Sequence, residues 1–288
     1  MTIYKWIGGT AGSEGDVNTA ANWLPATVPT AGHTILFDIG GQPVTTSLDH
    51  FQGVELVEMI IKPGAPTLGT ATEYFETGDV ELINIQATQP AWLDVGSDSP
   101  VINILDSGRS FDGDGSGITV RNDTGPVGTV SISGGTVSFG DGKGNNAIIK
   151  EIWMTGGLAT VNTGCTFDGA PTWPRYEIGS NATMRAHVIG AGIVAQVSGH
   201  GTLYTDGPDQ SGGIIAKDWA RCYLNHTGTT SALSIHDKAM VTTLGSAIPR
   251  TINAFALYGG EFHNDETITT VVSSTVVGRK ITSVRPAP

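Results

Sequence analysis

Short runs of alternating apolar and polar residues recur along the chain, and many end at a glycine pair. The clearest lies between Ser131 and Gly164. Ser131-Ile132-Ser133 meets Gly134-Gly135, Thr136-Val137-Ser138-Phe139 alternates again, and Gly140-Asp141-Gly142 turns the chain. The device returns at Gly156-Gly157 before Leu158-Ala159-Thr160-Val161, at Ser198-Gly199-His200-Gly201 before Thr202-Leu203-Tyr204, and at Gly259-Gly260 before Glu261-Phe262. A two-residue period predicts a half-buried strand. Glycine at the junction supplies a turn with positive φ. The steps from Gly134 to Gly156, from there to Gly199, and on to Gly259 stand near one, two and three multiples of a single short period. A weak repeat of short strands and glycine turns predicts an all-β chain, a parallel β-helix (solenoid) with rungs of about 20–22 residues.

Taken in order, residues 1–33 read as an N-terminal cap, residues 34–266 as the β-solenoid, and residues 267–288 as a β-rich tail suited to pairing between subunits. In the cap, Asp16 to Trp23 is expected to form one helical turn with Asp16 or Asn18 as its cap, stopped by Pro25. Trp6 and Trp23 are expected to plug the open end that a first rung would otherwise expose. Thr34 to Phe37 is the first rung-like strand. Further strands are expected over Val54–Ile61, Asp79–Gln86, Ala91–Val95 and Pro100–Leu105, and then from Ala186 to Phe262. Inward positions should be Val, Ile and Leu; outward positions should be Thr, Ser, Asn and Asp. Residues 168–184 hold Trp173 between prolines and read as a loop with a packed aromatic. No linker, low-complexity tract or charge block marks a second domain.

Composition sharpens this picture. Forty glycines among 288 residues is about twice average usage, without a Gly-X-Y period, so the glycines belong to turns rather than to collagen. Charged residues make up 15% against 39% apolar, which favours a folded β surface over disorder. The net charge of −12, with no Lys/Arg run, argues against a nucleic-acid partner. Arg279, Lys280 and Arg285 are too few to change that. Cys165 and Cys222 offer neither a disulfide framework nor a metal spacing and read as buried free thiols. The N-terminus has no basic-then-apolar leader pattern and no apolar run reaches membrane-spanning length, so the chain is expected to fold in a cytoplasm without export or membrane contact.

The N-terminal residues carry a resemblance. Trp6, Gly8, Gly9, Asn22, Trp23, Val28, Pro29, Gly32, Ile35, Phe37 and Asp38 form a W-x-G-G…NW…VP-x-x-G pattern. It resembles the opening of β-solenoid proteins of tailed bacteriophages, both capsid-decoration and tail-spike types, and of autotransporter-type bacterial surface proteins. His33 stands where that pattern usually has Asp. The resemblance covers about the first forty residues and the general glycine-rich repeat style.

Candidate chemistry is sparse. Asp112, Asp114 and Ser116 resemble the first half of a calcium loop, with Asp123 at its twelfth position. The flanks read as strands rather than helices, and a Gly-Asp-Gly turn explains the same residues. Carboxylate pairs suited to glycoside hydrolysis could come from Glu73 and Glu76, Asp94 and Asp98, or Asp206 and Asp209, but each pair sits at a turn where acids are ordinarily solvated. The histidines at 33, 50, 187, 200, 226, 236 and 263 have no metal-ligand spacing. His200 and His263 are candidates for a stacked surface ladder. No nucleophile elbow, phosphate loop or dinucleotide fingerprint is present. No catalytic, cofactor or metal residue is therefore assigned.

What the resemblance implies is a structural virion protein rather than an enzyme: a trimeric β-solenoid that decorates or cements a bacteriophage capsid, with itself and the major capsid protein as partners and the capsid surface as its place. A tail spike or receptor-binding protein that recognises, or cleaves, cell-surface polysaccharide is the alternative, with Trp92, Trp173 and Trp219 as candidate sugar contacts. A bacterial surface adhesin is the third reading.

Overall fold

The structure is a computed structural model. It describes residues 1–96, 100–107, 117–122, 126–144, 146–168, 176–209, 211–243, 249–264, 269–277 and 282–283. The chain forms two compact units, residues 1–150 and residues 151–288. Each is a parallel β-solenoid, as the alternation and the glycine turns predict.

In the first unit one ladder runs through Ile3–Trp6, Thr34–Phe37, Glu58–Ile61, Leu82–Ala87, Val101–Ser107 and Val127–Ile132, each strand parallel to the next. A second ladder runs through Phe75–Glu76, Ala91–Asp94, Ile118–Arg121 and Thr136–Phe139. The register stacks like on like. Ile83, Ile102 and Val130 form one inward column, and Ile85, Ile104 and Ile132 the next. All six are buried. Asn84 and Asn103 face outward in register, and their amides bond each other at 3.0 Å. That division is the one the sequence predicts.

In the second unit the first ladder carries Ile152, Tyr176, Ala195, Ile214, Leu233 and Phe255 in one column. The opposite ladder stacks Met184, Leu203, Cys222, Val241 and Phe262. Both columns point into a buried core. Each inward aliphatic contributes about 1.5–3 kcal/mol by leaving water. The step is constant from Tyr176 to Ala195, Ile214 and Leu233, and slightly shorter than the predicted period. Longer rungs, such as Ile152 to Tyr176 and Leu233 to Phe255, raise the average towards it. The glycine turns fall where they were expected: Gly135, Gly157, Gly199 and Gly260 have φ of 74°, 77°, 60° and 71°. At Gly260 a side chain would also collide with the Ala239 carbonyl.

The N-terminal segment packs as the two tryptophans predict. Trp6 and Trp23 meet edge to face at 5.1 Å, and Phe37 and Phe51 each lie 6.0 Å from Trp23. Trp23 Nε1 donates to the Val17 carbonyl and Trp6 Nε1 to the Gln42 carbonyl, so neither indole is buried at the cost of its polar atom. Ile3–Trp6 already pairs in parallel with Thr34–Phe37, so the ladder starts inside this segment. The expected helical turn is smaller than predicted: a 3-10 turn over Ala20–Asn22 preceded by Thr19. Asp16 instead ties the loop, accepting from the Asn18 amide and the Thr19 hydroxyl. The predicted strand over Val54–Ile61 is present only as Glu58–Ile61. Cys165 and Cys222 are free and buried, as expected, and burial pushes the Cys222 thiol up to about 12. Among the described residues no helix is long and apolar enough to cross a membrane.

Leu233, fully buried between Ile214 and Phe255, tests this core. Leu233→Ala should cost about 2–5 kcal/mol in urea unfolding through the cavity it leaves. Leu233→Met should cost under about 1.5 kcal/mol.

Candidate functional site

The most differentiated surface lies at one corner of the second unit, where each rung turns from the first ladder into the opposite one. Four successive turns place Ser180, Gly199, Asp218 and Asp237 at φ of 49°, 60°, 60° and 58°. Aspartate tolerates this left-handed conformation better than most residues, and here it has a second use. Asp218 Oδ2 accepts the Gly199 amide at 3.0 Å, and Asp237 Oδ2 accepts the Asp218 amide at 3.3 Å. Each carboxylate thus staples its own turn to the preceding one. Backbone bonds from Trp219 to Gly199 and from Lys238 to Asp218 repeat the stitch.

These turns align the flanking side chains. His200 stacks on Trp219 at 6.3 Å, and Lys238 Nζ sits 4.2 Å from the centre of the same indole. In the neighbouring column His236 stacks on Tyr258 at 4.8 Å. Trp219 and Tyr258 are nevertheless 54% and 51% exposed, the most open aromatic side chains among the described residues. His200 and Lys238 lie against the Trp219 ring and His236 against that of Tyr258, and both rings keep about half of their surface in solvent. Such an arrangement offers rigid contact and hydrogen-bond donors rather than an acid–base pair.

A second ladder lies on the outer face of the opposite sheet. Tyr204 and Tyr223 stack at 4.7 Å, nearly parallel, and the Arg185 guanidinium covers Tyr204 at 5.2 Å. Asp206 accepts the Asn225 amide at 3.1 Å and lies 3.6 Å from Arg185. Of the predicted acid pair, Asp206 is therefore engaged in this network, and the side chain of Asp209 lies outside the described ones.

The other expectations divide similarly. Asp94 is buried and held by Arg121 at 2.6 Å, while Arg121 covers Tyr74 at 4.4 Å. Asp98 lies outside the described residues. Glu73 is exposed and Glu76 half-buried on the short strand Phe75–Glu76. Asp112, Asp114, Ser116, Asp123, Trp173, Arg279, Lys280 and Arg285 all lie outside the described residues. Trp92 is half-buried on its strand. His200 and His263 do not share a ladder: His200 stacks on Trp219, and His263 bonds Glu261 at 2.9 Å. No group of three metal-binding side chains comes together among the described residues.

In the first unit, residues 12–16 with Gln42, Pro43, Thr45 and Thr46 line a cleft of about 420 Å³. Its acids serve the loop itself. The Gly12 amide holds the Glu14 carboxyl below its ordinary range. For Asp16, burial works in the opposite direction but is outweighed by hydrogen bonds from Ser47, Asn18 and Thr19.

Sequence reasoning missed one buried polar group. His226, 1% exposed, lies between the Thr205 hydroxyl at 2.7 Å and the Thr230 hydroxyl at 3.0 Å. Thr205 donates onward to the Tyr223 carbonyl, which makes its oxygen the acceptor for Nδ1–H and leaves Nε2 to accept from Thr230. Burial, reinforced by the Arg250 charge, lowers the His226 pKa to about 4. Its spacing from Thr230, along a β-branched strand, carries no signal that could have predicted this.

No protein-family model, curated protein or solved structure matches this chain.

His226 generates a pH dependence of known sign. Its folded pKa of about 4 lies below the ordinary 6.5, so the unfolded chain takes up the proton first. Stability should fall as pH drops from about 6.5 to about 4, by about 3 kcal/mol in all, and this contribution should be flat below and above that window. His226→Gln should flatten that part of the profile in urea unfolding at stepped pH. A slope unchanged in the variant would remove His226 as its source.

Proposed function

We propose that this chain is a structural component of a bacteriophage particle, a decoration or cement protein on the capsid surface that contacts the major capsid protein. The observation that carries this reading is the N-terminal motif and the use made of it. Trp6, Trp23 and Phe37 of that motif form, with Phe51, a sealed aromatic end to the first ladder. The outward residues of the second unit support it as well. Tyr204, Tyr223, Trp219 and His236 spend their ring faces on neighbouring rungs, which stiffens the surface instead of preparing it for turnover. A particle coat needs such a surface, since its durability outside a cell rests on a high barrier to unfolding.

The test is the position and copy number of the chain in intact particles from the source, by cryo-electron microscopy with mass spectrometry of the same preparation. The expected outcome is many copies arranged with the symmetry of the head. Absence from purified particles would overturn the reading.

One observation favours the alternative, a tail-borne receptor-binding protein. The exposed rings of Trp219 and Tyr258, with His200 and Lys238 beside Trp219, are of the kind that contact polar ligands such as sugars. On that reading a few copies sit at the tail tip. The double variant Trp219→Ala/Tyr258→Ala should then lower binding of particles to host polysaccharide at least tenfold while leaving their assembly unchanged. On the capsid reading the same variant leaves host binding untouched.

A further inference from the structure

The last long strand, Thr269–Val276, has one edge that no described strand covers. On its other side it pairs in parallel with Arg250–Leu257. The register stays in step from Val271 to Ser273, and Val272 and Ser273 are both exposed. The arm from Ser273 to Val277 completes the strand, and the Val277 amide still bonds the Leu257 carbonyl. The inward positions of this arm, Ser274 and Val276, lie in register on Phe255 and Leu257, which are themselves buried. Yet Val276 is 47% exposed and Val277 57%, and Ser274 is exposed too. Among the described residues, the last layer above Phe255 and Leu257 is therefore half open to water.

Natural edges are normally blocked by a charge, a proline or a covering segment. From Thr269 to Val277 there is no charged residue, proline or glycine. The opposite treatment is seen in residues 1–150, where Ile3–Trp6 has its outer edge filled by the short antiparallel strand Trp23–Leu24, with Pro25 next.

We propose that the arm Ser273–Val277 is a self-association site, pairing antiparallel with the same arm of a second copy about a two-fold axis through Thr275. In that register Ser274 opposes Val276 and Ser273 opposes Val277 of the other copy. Opposed residues in an antiparallel pair point to the same face, so the two inward sets meet and each open core layer covers the other. Every opposed pair joins small or β-branched uncharged side chains, which favours strand pairing. A single free edge accepts a single partner, so this contact closes at two copies and cannot by itself build the three-fold assembly expected from sequence. The inference does not depend on the capsid reading.

Thr275 is exposed and sits on the proposed axis, which allows one position to test the site. Directly opposed Cα atoms in an antiparallel pair lie about 4.5–5.5 Å apart, within disulfide range. Thr275→Cys should therefore cross-link to a dimer under oxidation, while the wild type, whose two cysteines are buried, should not. Thr275→Lys and Thr275→Glu should each halve the association state in sedimentation while keeping the wild-type circular-dichroism spectrum, and each should melt below the wild type because the pair no longer stabilises the folded chain. Mixing the Lys and Glu variants should restore it. The proposal is overturned if the wild type is monomeric, if either charge variant keeps the wild-type association state, or if Thr275→Cys yields no cross-linked dimer.

Discussion

Apart from the N-terminal pairing of Ile3–Trp6 with Trp23–Leu24, these ladders are built by pairing between successive rungs, so most of their amide and carbonyl groups are satisfied only by the rungs on either side. That constraint organises the rest. Parallel pairing fixes the register, and the register places residue on residue: Ile83 on Ile102, Leu203 on Cys222, Ile235 on Leu257. A slip of one residue would turn a column such as Met154, Ile178, Val197 and Ala216 out to solvent and bring Glu177 and Gln196 inside. The core and the backbone therefore select the same register. Neither alone would tolerate rungs as unequal as the long one from Ile152 to Tyr176 and the shorter one from Tyr176 to Ala195. Pairing is in phase again at Tyr176 and at Ala195.

The corner turns show how the same logic reaches the surface. A left-handed residue sits at the turn between ladders in each rung from Gly135 to Gly260, glycine at 135, 157, 199 and 260 and serine at 180. At 218 and 237 aspartate takes over, and each side chain then bonds the turn of the preceding rung. Once the turns are stapled, their flanking residues have no choice but to stack at the rung spacing. His200, Trp219 and Lys238 become one column, while His236 and Tyr258 become another. Similar stacking on the sheet face gives the Tyr204–Tyr223 pair. Such contacts spend aromatic faces internally, which is why an exposed tryptophan here is not by itself a platform for a flat ligand.

Much of the fold was legible because it rests on local signals. Alternation marked the strands, Gly-Gly marked the corners, and paired tryptophans marked the sealed end. The errors are equally physical. Asp16 and Asn18 look like helix caps, but Asp16 is drawn into an Asx-type turn by the Asn18 amide, and Trp23 is recruited by the aromatic cluster before a helix can extend. Val54 to Val57 alternate like a strand but precede the point where register with Thr34 begins. The surface columns were largely illegible, because which residues stack depends on register across rungs of unequal length. His200 and His263 look equivalent from their nearby glycines, yet one belongs to a corner and the other to a sheet face. The His226 pocket was hidden for the same reason: Thr205 reaches it from the preceding rung.

A ladder also has to end, and its two kinds of ending make different demands. An end closed by a short antiparallel strand and a cluster of indoles satisfies its backbone and its core together, as Trp23–Leu24 does beside Ile3–Trp6. The arm at Ser273–Val277 does neither alone. Its inward valine and serine continue the column above Leu257 and Phe255, so the residues are chosen for a layer with something beyond it. Threonine, serine and valine there are also the residues that least resist another strand. An edge intended to stay solitary would be expected to place a charge where Thr275 stands, because the cost on an exposed position is negligible and the protection against pairing is large. The acidic residues of this chain are used for stapling, pairing and loop closure elsewhere, as at Asp218, Asp94 and Asp16. Their absence from this arm makes physical sense when the next layer is another copy of the same arm.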